Sequence, residues 1–187
     1  MRVISGVSKG RQLKAPRGRV TRPMTDRARE GIFSAIAAVL PGADVLDLYA
    51  GTGSLGLEAL SRGSASVVFV ENDRRALQAL RANVDSVGLG GEIAAVDVDR
   101  FLTRPPGRFD LVFVDPPYHH SAASVETTLR SVVPLMRIGG TAVLHRPDGE
   151  RRPEAPGLEA AGRLGYGTAR IWRYLRVPEV GNRWTTG

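Results

Sequence analysis

The order of strand-like and helix-like segments predicts an α/β fold built around an open, mostly parallel sheet. From residue 45 onward, short apolar runs of strand type alternate with segments whose apolar residues recur at helical spacing. Four of these runs end at a carboxylate, namely Asp47, Glu71, Asp97 and Asp115. Because ligands of open α/β sheets bind outside the carboxyl ends of the strands, the sequence predicts one ligand site at that edge.

A basic arm, residues 1–24, precedes this alternation. Residues 2–5 and 11–14 flank a turn with Gly and Ser, which predicts a short β-hairpin, and a Pro/Gly/Arg linker follows over 15–24. Residues 1–30 hold nine basic and two acidic side chains, which account for the whole net charge of +7. Localised charge of this kind is typical of polyanion binding, and a solubilising tail is the alternative. The candidate polyanion contacts are Arg2, Lys9, Arg11, Lys14, Arg17, Arg19, Arg22 and Arg27.

The first helix is predicted to begin after Thr25, a good N-cap residue, with Asp26 favourable in the first turn. Pro41-Gly42 ends it. Its apolar residues fall on one face and are expected to pack against the sheet: Ile32, Phe33, Ile36, Val39 and Leu40.

A glycine loop connects the first predicted strand, 45–49, to a helix over 54–62. Gly51, Gly53 and Gly56 form G-x-G-x-x-G, in which the first two glycines allow a tight turn and close approach to a ligand. The third allows the helix to pack near the strand. A dinucleotide such as NAD is one candidate ligand, but Asp47 would repel its pyrophosphate. The carboxylate suits instead the ammonium and sulfonium of S-adenosylmethionine.

The next two strands supply further cofactor contacts. Strand 67–70 ends at Glu71, which lies 20 residues after Gly51 and is placed to accept both ribose hydroxyls, with Asn72 beside it. After a helix over 73–87, strand 92–96 ends at Asp97 and Val98. There the Asp97 carboxylate would accept from the adenine amino group, and the Val98 N–H would donate to the ring. Asp99 is a competing candidate, and a turn-forming Asp is the non-functional alternative.

A base-binding motif follows the strand at 111–114. Asp115, Pro116, Pro117 and Tyr118 form a stiff turn, because proline fixes φ and offers a carbonyl without an N–H. The Asp115 carboxylate and the Pro116 carbonyl would accept both hydrogens of a planar exocyclic amine. The Tyr118 ring would stack on the heterocycle, a contact of about 1–3 kcal/mol. The alternative is a Pro-rich turn in which Tyr118 packs for area alone.

The remaining elements complete a domain over 25–177. A helix is predicted over 122–137, a fifth strand over 141–144, an exposed loop over 147–156, and a closing antiparallel hairpin from 158–166 and 169–177. Residues 178–187 are expected to be a flexible tail.

Composition excludes several classes of protein. The chain has no cysteine, which rules out disulfides and thiolate chemistry. It has no apolar run of about 18 residues and no secretory h-region, so a cytoplasmic protein without a membrane segment is expected. His119, His120 and His145 give no metal-ligand pattern, and no metal is expected. His119 and His120 are expected to be solvated loop residues.

These motifs together resemble the class I S-adenosylmethionine-dependent methyltransferases, which have a Rossmann-like fold. The run 22–30, R-P-M-T-D-R-A-R-E, is similar to that of the RsmD family, as are R-V-I-S-G at 2–6 and K-G-R at 9–11. This resemblance covers nearly the whole chain. It implies a seven-stranded sheet with an added N-terminal hairpin, and methyl transfer to the exocyclic N2 of one guanine in 16S ribosomal RNA.

The resemblance further implies that the partly assembled small ribosomal subunit is the substrate and that S-adenosylmethionine is the cofactor. The basic arm would then contact rRNA, and we expect a monomer. Two alternatives stay open on the sequence: a methyltransferase of another RNA or DNA base amine, and an rRNA-binding assembly factor.

Overall fold

A computed structural model describes residues 1–16, 24–104 and 107–178. Seven strands form one sheet in the order β3-β2-β1-β4-β5-β7-β6. The strands are β1 (Asp44–Leu48), β2 (Ser66–Glu71), β3 (Glu92–Ala95), β4 (Phe109–Val114), β5 (Met136–Pro147), β6 (Leu158–Tyr166) and β7 (Ala169–Arg176). The helices are α1 (Asp26–Ala35), α2 (Ser54–Ser61), α3 (Arg74–Val87), α4 (Val98–Leu102) and α5 (Ala122–Val132).

The sheet is mostly parallel, as predicted. Strands β1 to β5 pair in parallel, whereas β7 is antiparallel to both β5 and β6. From β1 the chain moves outward to β2 and β3, and then returns to place β4 on the other side of β1. The strand order therefore reverses between β1 and β4. A crevice at such a switch point is where open α/β sheets bind ligands.

Side chains alternate between the two faces of the sheet, and each face has its own core. The face covered by α1, α2 and α3 holds Phe33, Leu57 and Phe113. The face covered by α4 and α5 holds Leu129 and Trp172. This alternation decides on which face each strand-end side chain lies.

Helix α1 begins where its sequence predicts. The Thr25 hydroxyl accepts from the Ala28 N–H at 3.2 Å, which confirms the N-cap. Ile32 and Phe33 are fully buried on the face that packs against the sheet. The helix was predicted to run to Pro41-Gly42 but ends at Ala35, where Ile36 leaves the helical conformation; a separate 3₁₀ turn follows over Ala37–Val39, and Val39 is only partly buried.

Two further predicted boundaries were wrong. The helix expected over 122–137 ends at Val132, with a 3₁₀ turn over Val133–Leu135 that contains Pro134. Proline lacks the N–H needed to continue an α-helix. Strand β5 begins at Met136, earlier than the predicted 141, and an irregularity opposite Phe109 and Leu111 interrupts its pairing with β4.

The hairpin expected at residues 2–14 has a single antiparallel bridge, between Arg2 and Gln12. The Val3 N–H donates to the Arg11 carbonyl at 3.0 Å and the Leu13 N–H donates to the Met1 carbonyl at 2.8 Å. Val3 and Leu13 are buried against the same core as α1 and α2. The N-terminal hairpin, residues 1–14, is thus packed onto the domain. No helix within the described ranges has both the length and the apolar character to cross a membrane.

Candidate active site

The glycine loop lies at the carboxyl end of β1, where its glycines have the conformations the motif predicts. Gly51 and Gly53 have φ of 56° and 79°. A Cβ at Gly53 would lie 2.5 Å from Leu80 Cδ1, and one at Gly56 would lie 2.3 Å from Phe69 Cε1. The third glycine thus lets α2 pack against β2. The residue before the loop, Tyr49, has an unusual φ of 58°, so the chain turns sharply as it leaves β1.

Asp47 is a buried carboxyl group beneath this loop. Its side chain points to the face covered by α2, and Oδ2 accepts from the Gly56 N–H at 2.9 Å. The residue is only 1% exposed. Burial, with smaller contributions from the carboxylates of Asp115 and Glu71, raises the pKa of Asp47 from its ordinary 3.8 to about 8, against the lowering effect of the Gly56 N–H. Asp47 is therefore a group that a nearby positive charge would readily ionise.

Glu71 joins the end of β2 to the glycine loop. Its Oε2 accepts from the Gly51 N–H at 2.8 Å, and its Oε1 accepts from the Asn72 and Asp73 N–H groups, each at 2.8 Å. These three backbone donors fix the plane of the carboxylate at the mouth of the loop. They also fix the glycine loop next to the turn between β2 and α3.

Asp97 occupies the end of β3 and caps α4, a helix that the sequence did not predict. Oδ1 accepts from the Asp99 N–H at 2.9 Å, and Oδ2 accepts from the Asn72 side-chain amide at 3.1 Å. Asp97 is exposed and Val98 is buried. The Asn72 amide thus connects the ends of β2 and β3, whereas Asp99 contributes its backbone to the cap.

The motif at 115–118 follows β4 on the opposite side of β1. Asp115 is aligned with the end of β1, its N–H lying 3.5 Å from the Leu48 carbonyl. Pro116 is buried, whereas Pro117 and Tyr118 are exposed. Half of Tyr118 is accessible. The structure therefore brings the motif beside the glycine loop, with an accessible aromatic ring at its outer end.

His145, near the end of β5, contacts two residues of this motif. Its Nδ1 lies 2.7 Å from Asp115 Oδ1, and its Nε2 lies 3.4 Å from the Tyr118 hydroxyl. Our sequence reasoning found no role for this histidine. The signal that locates it is the parallel register of β4 and β5, in which Val114 pairs with Leu144. The residues that follow this pair are Asp115, directly after β4, and His145 on β5.

Arg146, the residue after His145, stabilises the turn at 117–120 through hydrogen bonds. Its guanidinium is buried, donates to the Pro117 carbonyl at 3.2 Å and the His120 carbonyl at 2.6 Å, and pairs with Glu150. His120 is partly buried, with its ring 5.5 Å from that of Tyr49, whereas His119 is exposed as expected. No sequence motif indicated Arg146, because a buried arginine on a strand has no periodic signature.

The N-terminal hairpin is attached to α2 through a fully buried carboxylate. Glu58 Oε2 accepts from the Ile4 N–H at 2.6 Å and Oε1 accepts from the Ser5 N–H at 2.9 Å. Glu58 also pairs with Arg62 at 2.7 Å. The sequence placed Glu58 on a helix without predicting its burial.

Asn83 of α3 connects the end of the hairpin to the glycine loop. Its Oδ1 accepts from the Lys14 N–H at 2.7 Å, and its Nδ2 donates to the Lys14 carbonyl at 3.1 Å and the Thr52 carbonyl at 2.9 Å. The amide is completely buried. The basic arm and the glycine loop are therefore both hydrogen-bonded to the same buried side chain, that of Asn83.

The basic side chains differ in exposure. Those that are described among the candidate polyanion contacts are all exposed: Arg2, Lys9, Arg11, Lys14 and Arg27. Arg17, Arg19 and Arg22 lie outside the described residues. Arg29, by contrast, is completely buried, donates to the Arg2 carbonyl at 2.8 Å and pairs with Asp26 at 2.7 Å. Arg29 therefore fixes the hairpin to α1.

Comparisons with known proteins agree with this geometry. The family described as conserved hypothetical protein 95 matches residues 1–174. The chain is 38% identical over 162 residues to "Putative rRNA methyltransferase YlbH" of Bacillus subtilis (strain 168), covering 84% of this chain and 88% of that protein. It is 40% identical over 119 residues to "Ribosomal RNA small subunit methyltransferase D" of Escherichia coli (strain K12), covering 63% of this chain and 60% of that protein.

Solved structures give the same result. "Putative methyltransferase yhhF" from Escherichia coli superposes with a TM-score of 0.85 at 30% identity, covering 95% of this chain and 98% of that one. With nearly the whole of both chains covered, the fold described above is that of a methyltransferase. Among residues 1–16, 24–104 and 107–178, no cluster of His, Cys, Asp or Glu has the arrangement of a metal site.

Proposed function

The chain belongs to the RsmD family, and from this membership we propose that it transfers a methyl group from S-adenosylmethionine to the exocyclic N2 amine of a guanine in 16S rRNA. The observation that carries the proposal is the position of Asp115–Tyr118 at the sheet edge that also holds the glycine loop. The proposed acceptors for a base amine and for a nucleoside cofactor thus lie at one edge of the sheet.

The residues at the strand ends suit S-adenosylmethionine. A Cβ at Gly51 would have no described protein atom outside its chain neighbours closer than the Tyr49 carbonyl oxygen at 4.0 Å, which leaves room for a ligand beside the loop, and Glu71 and Asp97 supply acceptors for ribose hydroxyls and an adenine amino group. Asn72 holds Asp97, and the Val98 N–H is assigned to the adenine ring. Asp47 supplies negative charge for the ammonium and sulfonium. When bound, S-adenosylmethionine supplies an electrophilic methyl group.

The chain's own contribution to the chemistry is to position and polarise the amine. The lone pair of the guanine amine is delocalised into the ring, so the amine is a poor nucleophile. Hydrogen bonds to the Asp115 carboxylate and the Pro116 carbonyl favour a pyramidal nitrogen and stabilise its developing positive charge. Pro117 keeps the turn stiff, Tyr118 stacks on the extruded base, and the amine proton passes to Asp115 or to water. Most of the acceleration of methyl transfer then comes from orienting the amine toward the methyl group.

The basic arm, residues 1–24, provides the rRNA contacts. Arg2, Lys9, Arg11, Lys14 and Arg27 are exposed, and the hairpin is fixed to the catalytic domain, residues 25–177, so that phosphate contacts orient the RNA relative to the crevice. Arg17, Arg19 and Arg22 are assigned the same role from sequence. Binding through these side chains releases counterions and should weaken steeply with added salt. We assign the small ribosomal subunit as substrate, a cytoplasmic location and a monomeric state.

The test is to incubate small ribosomal subunits from cells lacking the native modification with the protein and methyl-labelled S-adenosylmethionine. After digestion to nucleosides, label in N2-methylguanosine supports the proposal. Label in another nucleoside, or a preference for duplex DNA over rRNA, keeps the class of enzyme but overturns the substrate. Bound cofactor without label points to an rRNA-binding assembly factor. The Asp115→Ala variant should bind the cofactor normally and transfer no methyl group.

A further inference from the structure

His145 is a nearly buried imidazole whose two ring nitrogens both lie next to residues of the base-binding motif. It is 5% exposed and lies on β5, opposite Ile171 of β7. Nδ1 is 2.7 Å from Asp115 Oδ1, whereas Nε2 is 3.4 Å from the Tyr118 hydroxyl. The reaction described above assigns no role to this side chain.

The two contacts select one tautomer of the neutral ring. A carboxylate oxygen can only accept, so the nitrogen beside Asp115, Nδ1, must carry the hydrogen. Nε2 then has a lone pair, which accepts from the Tyr118 hydroxyl. Both hydrogen bonds are thus made without placing a charge on the imidazole. The other tautomer would direct a lone pair at Asp115 Oδ1 and is disfavoured by electrostatic repulsion.

This arrangement constrains the carboxylate of Asp115. The bond from Nδ1–H engages Oδ1 and fixes the rotation of the carboxylate, whose side chain is otherwise one-third exposed. Within the described part of the chain, Oδ2 accepts no hydrogen bond, so it is the oxygen oriented for an incoming donor. The bond from Tyr118 to the same ring ties the stacking platform to the acceptor.

We propose that His145 is a positioning residue that orients Asp115 Oδ2 toward the base amine through its Nδ1–H, and that its Nε2 contact with Tyr118 is secondary. This inference rests on the proposed function, because it assigns to His145 the orientation of the group that accepts the amine hydrogen. It concerns the rate of transfer rather than the binding of the cofactor, since the glycine loop, Glu71 and Asp97 make no hydrogen bond with His145.

Two substitutions separate the contacts. In His145→Asn, the side-chain amide nitrogen occupies the place of Nδ1 and keeps the bond to Asp115. In His145→Gln, the longer side chain places its terminal group near Nε2 and keeps only the contact with Tyr118. Both variants put a neutral amide into the same buried position, so each controls for the loss of stability in the other.

The expected result is a split between the variants in kcat at saturating S-adenosylmethionine. His145→Asn should stay within about threefold of wild type, whereas His145→Gln and His145→Ala should lose about 10- to 100-fold, as misplaced catalytic groups do. The KM for S-adenosylmethionine should change less than twofold in all three, by the same positioning argument. Equal losses in the Asn and Gln variants, or a KM that changes as much as kcat, would overturn the proposal.

A second measurement reads the contact without activity. In ¹⁵N-labelled protein, with His145→Asn used to assign the signal, the ring should show a hydrogen on Nδ1, the nitrogen beside Asp115. The opposite tautomer overturns the inference. If the wild-type enzyme labels no guanine N2, the proposed function fails, and the tautomer still decides whether His145 orients Asp115.

Discussion

Replacing Asp47 by Asn should stabilise the cofactor-free protein at neutral pH, although the residue is assigned to the cofactor site. Asp47 is 1% exposed and receives one hydrogen bond, from the Gly56 N–H. Its pKa of about 8 means that the folded protein keeps the carboxyl protonated at neutral pH, whereas the unfolded chain releases the proton. Asparagine retains an acceptor for Gly56 and has no proton to release.

The magnitude follows from the two pKa values. Below pH 3.8 both states are protonated and the group has no effect on the free energy of unfolding. Between 3.8 and about 8 only the folded state holds the proton, so the free energy of unfolding falls as pH rises. The free energy of unfolding changes by about 1.4 kcal/mol per pH unit, so wild type loses about 4 kcal/mol by pH 7. This value is the upper limit of the stabilisation expected in Asp47→Asn.

Urea denaturation of wild type and Asp47→Asn at about pH 5 and 7.5 measures this difference, and titrations shared by both proteins cancel in it. Between these two pH values, the free energy of unfolding of wild type should fall by about 3 kcal/mol relative to that of the variant. Asp97→Asn is the matched control, because Asp97 is exposed and asparagine caps a helix equally well. A variant that is less stable than wild type at pH 7 would refute the reasoning, since it would show a stabilising, ionised Asp47.

Three further substitutions test how the site is supported. Glu58→Ala leaves the Ile4 and Ser5 N–H groups without their acceptor and should cost about 3 kcal/mol in urea denaturation, with early proteolysis of the hairpin and a smaller loss in Glu58→Gln. Asn83→Ala removes three hydrogen bonds and should cost about 2–3 kcal/mol, with weaker binding of S-adenosylmethionine in calorimetry because the Thr52 carbonyl is released; unchanged affinity would contradict that coupling. Arg146→Lys keeps the charge beside Glu150 but loses the planar fork, so kcat should fall about tenfold at unchanged cofactor affinity, and loss of cofactor binding would argue against the role.

The strand-end carboxylates were predictable because their signal is local. Each of Asp47, Glu71, Asp97 and Asp115 closes or follows an apolar run, and parallel pairing brings such ends to one edge whatever the exact register. The helix capped by Asp97 was missed since five residues are too few to show helical periodicity. The predicted helix over 122–137 ran too far, because the apolar residues of the 3₁₀ turn and of early β5 continue the same spacing.

The supporting side chains were not predictable for a different reason. His145 acquires its place only when β5 is aligned with β4, and an error at the start of β5 hides that register. Glu58 and Arg146 are charged residues on regular elements, where sequence favours an exposed position. Their burial depends on partners far along the chain, such as the backbone of Ile4 for Glu58.

The two outermost strands carry a consequence for the protein's behaviour at high concentration. An unpaired strand edge offers its backbone groups to another chain and so promotes aggregation. Here one edge, β3, has four residues, and the other, β6, is bent by an irregularity between Ala160 and Gly162 next to the exposed Arg163. Neither edge presents a long flat ladder. Both features should disfavour sheet-to-sheet polymerisation, and straightening β6 by deleting Ala161 should make the protein more prone to form fibrils.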